Sequence, residues 1–199
     1  IEQAQYEKAL THVTRGRALA ESLGANRFQP FLTIFEARAK LASGSPRAEV
    51  APMVQEALEI SAETGITFLG PWLNSTLAQA LDNEPAVRAA LAEGERLLAD
   101  GCVGHNYFDF YADAMQVSLD SKMWDEVSRY AAQLQEYMAA EPLPWADYRV
   151  RRAEALARAG QAGPDGPDDE TRELLGGLAA EGREFGLTHM LTDIEAALA

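Results

Sequence analysis

One cysteine and three histidines in 199 residues leave little material for covalent or metal chemistry. Cys102 has no partner for an internal disulfide, so nothing marks an oxidising compartment or a cysteine-ligated metal. His12, His105 and His189 are far apart in the chain, whereas a zinc site needs three or four converging ligands. His105 and His189 each follow a glycine that ends a helix, a position that suits packing better than ligation. Long apolar runs are missing too: none approaches the roughly 20 residues that span a bilayer. The opening Ile1-Glu2-Gln3-Ala4 has neither a basic nor an apolar leader region. Also absent are Gly-x-x-x-x-Gly-Lys-Ser/Thr, Gly-x-Gly-x-x-Gly, His-Glu-x-x-His and Gly-x-Ser-x-Gly. These gaps argue against an ordinary nucleotide enzyme, zinc hydrolase or serine hydrolase. The expectation is a cytoplasmic chain with no catalytic residue, no metal and no cofactor.

Basic residues are the next scarcity. Seventeen Lys and Arg stand against 31 Asp and Glu, a net charge of −14. Residues 1–100 carry −4 of this and the remainder −10. Such a surface repels a phosphate backbone and an anionic membrane, so neither is an expected direct partner. What is plentiful is small and apolar: 47% of residues are hydrophobic, and alanine and leucine dominate them. That balance favours helix over sheet.

The helices repeat. Glycines at 24, 65 and 101 each close a helical stretch and are followed shortly by an aromatic, Phe28, Phe68 and Tyr107. A looser copy has Glu141-Pro142-Leu143-Pro144 before Trp145, and a further one has Gly186 before His189. Gly24, Gly65 and Gly101 sit where a helix needs a left-handed C-terminal cap. Between these stops lie polar corners. Ser45 is read as an N-cap with Pro46 in the first turn, and Asp82-Asn83-Glu84-Pro85 and Asp120-Ser121-Lys122 are read the same way. The pattern predicts helices at roughly 3–23, 28–43, 46–64, 68–82, 84–100, 106–119, 122–140, 145–159, 169–185 and 188–198. It predicts no strand. With Ile1 read as lying inside the first helix, the chain is expected to be a piece of a longer polypeptide. The expected architecture is all-α: a right-handed α-α superhelix of about five helical hairpins, in units of roughly 36 to 45 residues, forming one domain over 1–199.

The glycine- and proline-rich stretch 160–168 cannot be helical throughout. It reads as a recognition loop or linker, or as an insertion at a hairpin corner; helical units on both sides favour the insertion. Asp168, Asp169 and Glu170 then place negative charge at a helix start, where the helix dipole favours it.

Leu41-Ala42-Ser43-Gly44-Ser45-Pro46-Arg47-Ala48-Glu49, Leu77-Ala78-Gln79-Ala80-Leu81 and Ala153-Glu154-Ala155-Leu156-Ala157-Arg158-Ala159-Gly160 carry a family resemblance. This degenerate pattern resembles the C-terminal tetratricopeptide-repeat (TPR) region of large bacterial signalling ATPases of the STAND or AAA type, linked to adenylate cyclase or LuxR-type domains. The units exceed the usual 34 residues of that repeat, and no complete Trp-x-x-Leu-Gly-x-x-Tyr signature occurs. The resemblance implies a regulatory or partner-binding role, with ATPase and cyclase activity in domains outside this chain. The implied partner is a protein or peptide, including the polypeptide's own upstream domains.

Two groups of residues are candidates for that binding. Aromatics recur at the start of each first helix: Phe28, Phe31 and Phe35; Phe68 and Trp72; Tyr107, Phe108, Phe110 and Tyr111; Trp145 and Tyr148. In TPR solenoids that helix lines the concave groove, so Phe31, Trp72, Tyr107, Phe108, Tyr111, Trp145 and Tyr148 are candidate groove residues, while filling between hairpins is the alternative. Four aromatics within 107–111 span more than one helix face, which points at least one away from the core. The second group is basic. Arg149 and Arg152, with Arg151 and Arg158, can capture an acidic motif or an anion, or can neutralise nearby carboxylates. Asp109 and Asp113 share a face at i, i+4 and read as a solvated pair rather than a catalytic one. Asn74-Ser75-Thr76 matches a glycosylation acceptor but falls inside a predicted helix. A non-catalytic interaction scaffold is the leading expectation. A small-molecule or peptide sensor with a pocket around Trp72, Tyr107 and Trp145 is the second.

Overall fold

A computed structural model describes residues 1–163 and 166–199. Among them the chain forms ten α-helices, two short 3-10 turns and no strand. The helices are α1 Tyr6–Ser22, α2 Gln29–Ala42, α3 Arg47–Glu63, α4 Gly70–Gln79 and α5 Glu84–Ala99, then α6 Gly104–Asp120, α7 Trp124–Tyr137, α8 Pro144–Gln161, α9 Asp169–Glu184 and α10 Thr188–Leu198. The all-helical expectation therefore holds, and no helix is long and apolar enough to cross a membrane.

The stops work as local chemistry predicts. Gly24 takes φ 63° and Gly65 φ 73°, and Gly101 and Gly186 are also left-handed. After α1, the Gly24 and Ala25 N–H groups donate to the Glu21 and Ala20 carbonyls; after α3, Gly65 and Ile66 donate to Ala62 and Ser61. Each pair closes the last turn and satisfies carbonyls that would otherwise be unpaired. A 3-10 turn, Asn26–Phe28 or Thr67–Leu69, then leads into the next helix. At the N-terminal ends, Asn83 accepts from the Ala86 N–H, and Asp168 accepts from Thr171 with Asp169 and Glu170 in the first turn.

Several boundaries differ from expectation. Ser45 is not a cap: its N–H donates to the Lys40 carbonyl to close α2, and Pro46, with no side-chain bond, precedes α3. Lys122 does not start α7; it adopts φ 55° and supplies the left-handed closure of α6 that glycine supplies elsewhere. The first helix begins at Tyr6, after Ala4 at φ 55°, so Ile1 is not within a helix. α8 continues through Gly160 and Gln161, which shortens the expected 160–168 loop; Pro164 and Asp165, part of that expectation, lie outside the described residues.

The chain divides into two compact units: unit 1 comprises residues 1 and 3–110, and unit 2 comprises residue 2 and 111–199. In unit 1 each helix from α1 to α5 packs on the next, and α2 also meets α4. In unit 2 the chain of contacts runs α7, α8, α9, α10, and α8 also meets α10. Contacts between sequence neighbours and alternate helices are what stacked helical repeats produce. The core of unit 1 includes Ile34, Val50, Val54, Leu73, Leu91 and Phe110, all nearly or fully buried. In unit 2 Tyr148, Leu175, Leu178, Met190 and Ile194 form one buried cluster.

Helical glycines set some of these approaches. A Cβ on Gly94 would run into the buried Phe110 ring, one on Gly160 into Trp124, and one on Gly182 into Tyr148 and Leu191. Gly70–Ala78 of α4 are all buried, including Asn74, Ser75 and Thr76. Their side chains bond back to the Gly70 and Trp72 carbonyls of the same helix, so Asn74 cannot serve as a glycan acceptor.

Candidate functional site

In unit 1 the predicted pair Phe31 and Trp72 does come together. Phe31, Phe35 and Trp72 meet edge to face with centroids 4.9, 5.8 and 5.5 Å apart. Only Phe31 is exposed; Trp72 is buried, its indole N–H has no acceptor among the described residues, and the Arg38 guanidinium stands 5.9 Å from its ring. Tyr107 and Phe108 are half-buried on α6. The Tyr107 hydroxyl donates to the Leu98 carbonyl at 3.0 Å, a bond that anchors the start of α6 to the end of α5. His105 is exposed and lies edge-on to Phe68.

In unit 2 α8 carries most of the predicted residues, and burial separates their roles. Trp145 is 41% exposed, with the Arg149 guanidinium 5.0 Å from its ring centroid. Arg149 is itself paired with Glu2 at 2.9 Å. Tyr148 is fully buried; its hydroxyl donates to the Leu178 carbonyl, and burial pushes its pKa up. Arg152 is buried as well and donates to the Met190 carbonyl, to Gln116 Oε1 and to Asp193 Oδ2. Arg151 holds Asp147 and Glu181. The basic run is thus tied to internal acceptors, the second of its two expected uses. Tyr111 is half-buried, tilted against Tyr130 at 6.3 Å. Asp113 departs from expectation: it is buried, not solvated, although Asp109 remains half-buried.

Cys102 is half-buried and its thiol is pushed up by burial, away from thiolate reactivity. No cluster of three potential metal ligands occurs among the described residues.

A concavity lies elsewhere in unit 1, in a groove of about 680 Å³ between α1 and α3 with α2 as its floor. Helical periodicity builds it. Thr14, Arg17, Ala18 and Glu21 present one face of α1, and Gln29, Thr33, Glu36 and Lys40 one face of α2. The α3 wall presents Glu49, Met53, Glu56, Ala57 and Ile60. Arg17 spans the floor: its Nε donates to Glu36 at 2.9 Å, Nη1 to Gln29 at 2.6 Å and Nη2 to Thr33 at 2.8 Å. Lys40 pairs with Glu36 at 2.9 Å. Burial opposes ionisation of Glu36, but the hydrogen bonds from Lys40 and Arg17 outweigh it and hold the carboxyl below its ordinary range. Sequence reasoning missed this groove. The i, i+4, i+7, i+11 polar row on α2 was a signal for it, since a helix between two others normally shows them apolar faces.

No family model matches the chain, and neither a curated protein nor a solved structure matches it.

Proposed function

We propose that the chain is a non-catalytic protein-interaction or regulatory scaffold, built as a right-handed superhelix of about five TPR-like hairpins and belonging to a bacterial signalling ATPase of the STAND or AAA type. The observation that carries this reading is the recurrence of one device. α1, α3 and α9 each end in a left-handed glycine with paired backbone closures, and each helix then packs on its sequence neighbours within its unit. Exposed aromatics at equivalent helix starts, Phe31 and Trp145, give the scaffold anchors for a protein or peptide, including the polypeptide's own upstream domains. Catalysis lies outside this segment on this reading, as do nucleic-acid and membrane binding, and the site of action is the cytoplasm. Peptide-display selection against the 199-residue chain is expected to yield a consensus whose binding falls when Phe31 and Trp145 are changed to alanine. Capture of no peptide or protein, or substrate turnover lost on Asp109→Ala, overturns the reading.

A second reading, a small-molecule or peptide sensor, is favoured by the unit 1 groove, whose 680 Å³ falls within the range of small-ligand sites. A thermal-shift screen against metabolites separates the two: a specific ligand at 100 times its dissociation constant adds about 2.7 kcal/mol.

A further inference from the structure

The geometry points to a specific occupant for the unit 1 groove: a basic, amphipathic segment of a partner protein, bound through lysine or arginine on Glu21, Glu49 and Glu56 and through an apolar side chain on Met53 and Ile60. This rests on the scaffold reading and deepens it.

Charge carries the argument. Both cations of the groove are committed, Arg17 to Glu36, Gln29 and Thr33, and Lys40 to Glu36. Glu21, Glu49 and Glu56 line the same concavity, are exposed, and make no side-chain hydrogen bond or ion pair among the described residues. Three unneutralised carboxylates on opposite walls concentrate negative potential between them, because the low-dielectric walls focus the field. An anionic ligand is repelled there. A second copy of the chain fits poorly as well: net charge is −14, and the arginines of α8 are already paired, Arg149 with Glu2, Arg151 with Asp147 and Glu181, Arg152 with Asp193 and Arg158 with Glu170.

Shape and polarity narrow the occupant further. Met53, Ala57 and Ile60 form an apolar strip at i, i+4, i+7 along α3, flanked by Glu49 and Glu56. A polyamine satisfies the carboxylates but leaves that strip unused, whereas an amphipathic peptide covers both. Met53 is half-buried, and a flexible thioether adapts to varied apolar side chains. From Glu49 to Ile60 the wall is about 16 Å long at 1.5 Å per residue, which matches a partner helix of about three turns.

The test uses the full chain and a labelled synthetic peptide of about 12 residues with lysine and leucine at helical spacing, alongside the same peptide with glutamine for lysine, and spermine. The lysine peptide is expected to bind, more weakly as salt rises, and the glutamine peptide is not. The triple variant Glu21→Gln, Glu49→Gln, Glu56→Gln is expected to bind about tenfold more weakly, and Met53→Ala about threefold more weakly. A triple variant in unit 2, Glu154→Gln, Glu173→Gln, Glu184→Gln, changes the net charge equally and is expected to bind as the parent does; circular dichroism checks that each variant folds. Equal weakening by both triple variants means diffuse attraction to an acidic surface and overturns the proposal. So does spermine binding that depends on the groove glutamates while the peptide ignores Met53. Peptide capture that survives the groove variant but is lost with Phe31→Ala and Trp145→Ala removes the groove and leaves the scaffold reading intact.

Discussion

Arg17 in unit 1 and Arg152 in unit 2 make similar bonds in different surroundings. Arg17 reaches to α2 and Arg152 to α6 and α10, and each divides its N–H groups among a carboxylate, an amide oxygen and a third acceptor. The Arg17 side chain keeps 27% of its exposure and forms part of a groove floor; Arg152 keeps 6%. A guanidinium that deep, with its donors used by α6 and α10, is a clamp, because lifting it toward an external anion would strand its acceptors. The half-open arginine instead pairs with Glu36 alone, while Glu21, Glu49 and Glu56 line the same groove. Burial, not residue type, separates an internal strut from part of a groove floor.

Arg152→Met tests the buried side most severely. Removing one partner of a buried pair is strongly destabilising, and with Asp193 half-exposed the expected loss is about 2 to 3 kcal/mol, read by urea denaturation together with faster hydrogen exchange in α8 and α10. The matched Arg17→Met should cost about 1 kcal/mol, since partly exposed pairs contribute little. Equal losses would break the comparison.

Helical glycines sharpen it from the apolar side. Gly94→Ala drives a methyl group into the Phe110 ring and should cost about 2 kcal/mol as an overpacked core. Gly177→Ala, on α9 with nothing within 4 Å of the added carbon, should stabilise by about 0.5 to 1 kcal/mol. A Gly94→Ala protein as stable as the parent would show that α5 and α6 can separate freely.

The smallest effect is a pH dependence. Glu36 has a folded-state pKa below its ordinary value of 4.5, so the stability it contributes is complete above that value and is lost as pH falls through the lower, folded-state one. Glu36→Gln should flatten the acid limb of the stability curve, followed by thermal denaturation from about pH 6 downward. An unchanged acid limb would mean that Arg17 and Lys40 do not favour the charged form.

Much of this fold was legible because its signals are local. The helix stops at Gly24, Gly65 and Gly101 are left-handed where the sequence predicts, Gly186 closes α9 in the same way, and Asn83 and Asp168 cap their helices through their own side chains. Ser45 and Lys122 were misread because several polar residues can occupy a corner and only backbone geometry decides which closes and which opens. The candidate site was less legible. Trp72 and Tyr148 share the aromatic pattern of Phe31 and Trp145, yet the first two are buried and the last two exposed.

The periodicity and stops of this chain were enough, by themselves, to place ten helices and to bring their ends within about three residues, because each depends on residues within one or two turns. Which arginine is sealed, which aromatic faces outward, and where Glu21, Glu49 and Glu56 converge depended on tertiary structure. Those outcomes join residues of different helices, whose separation in space no local pattern encodes.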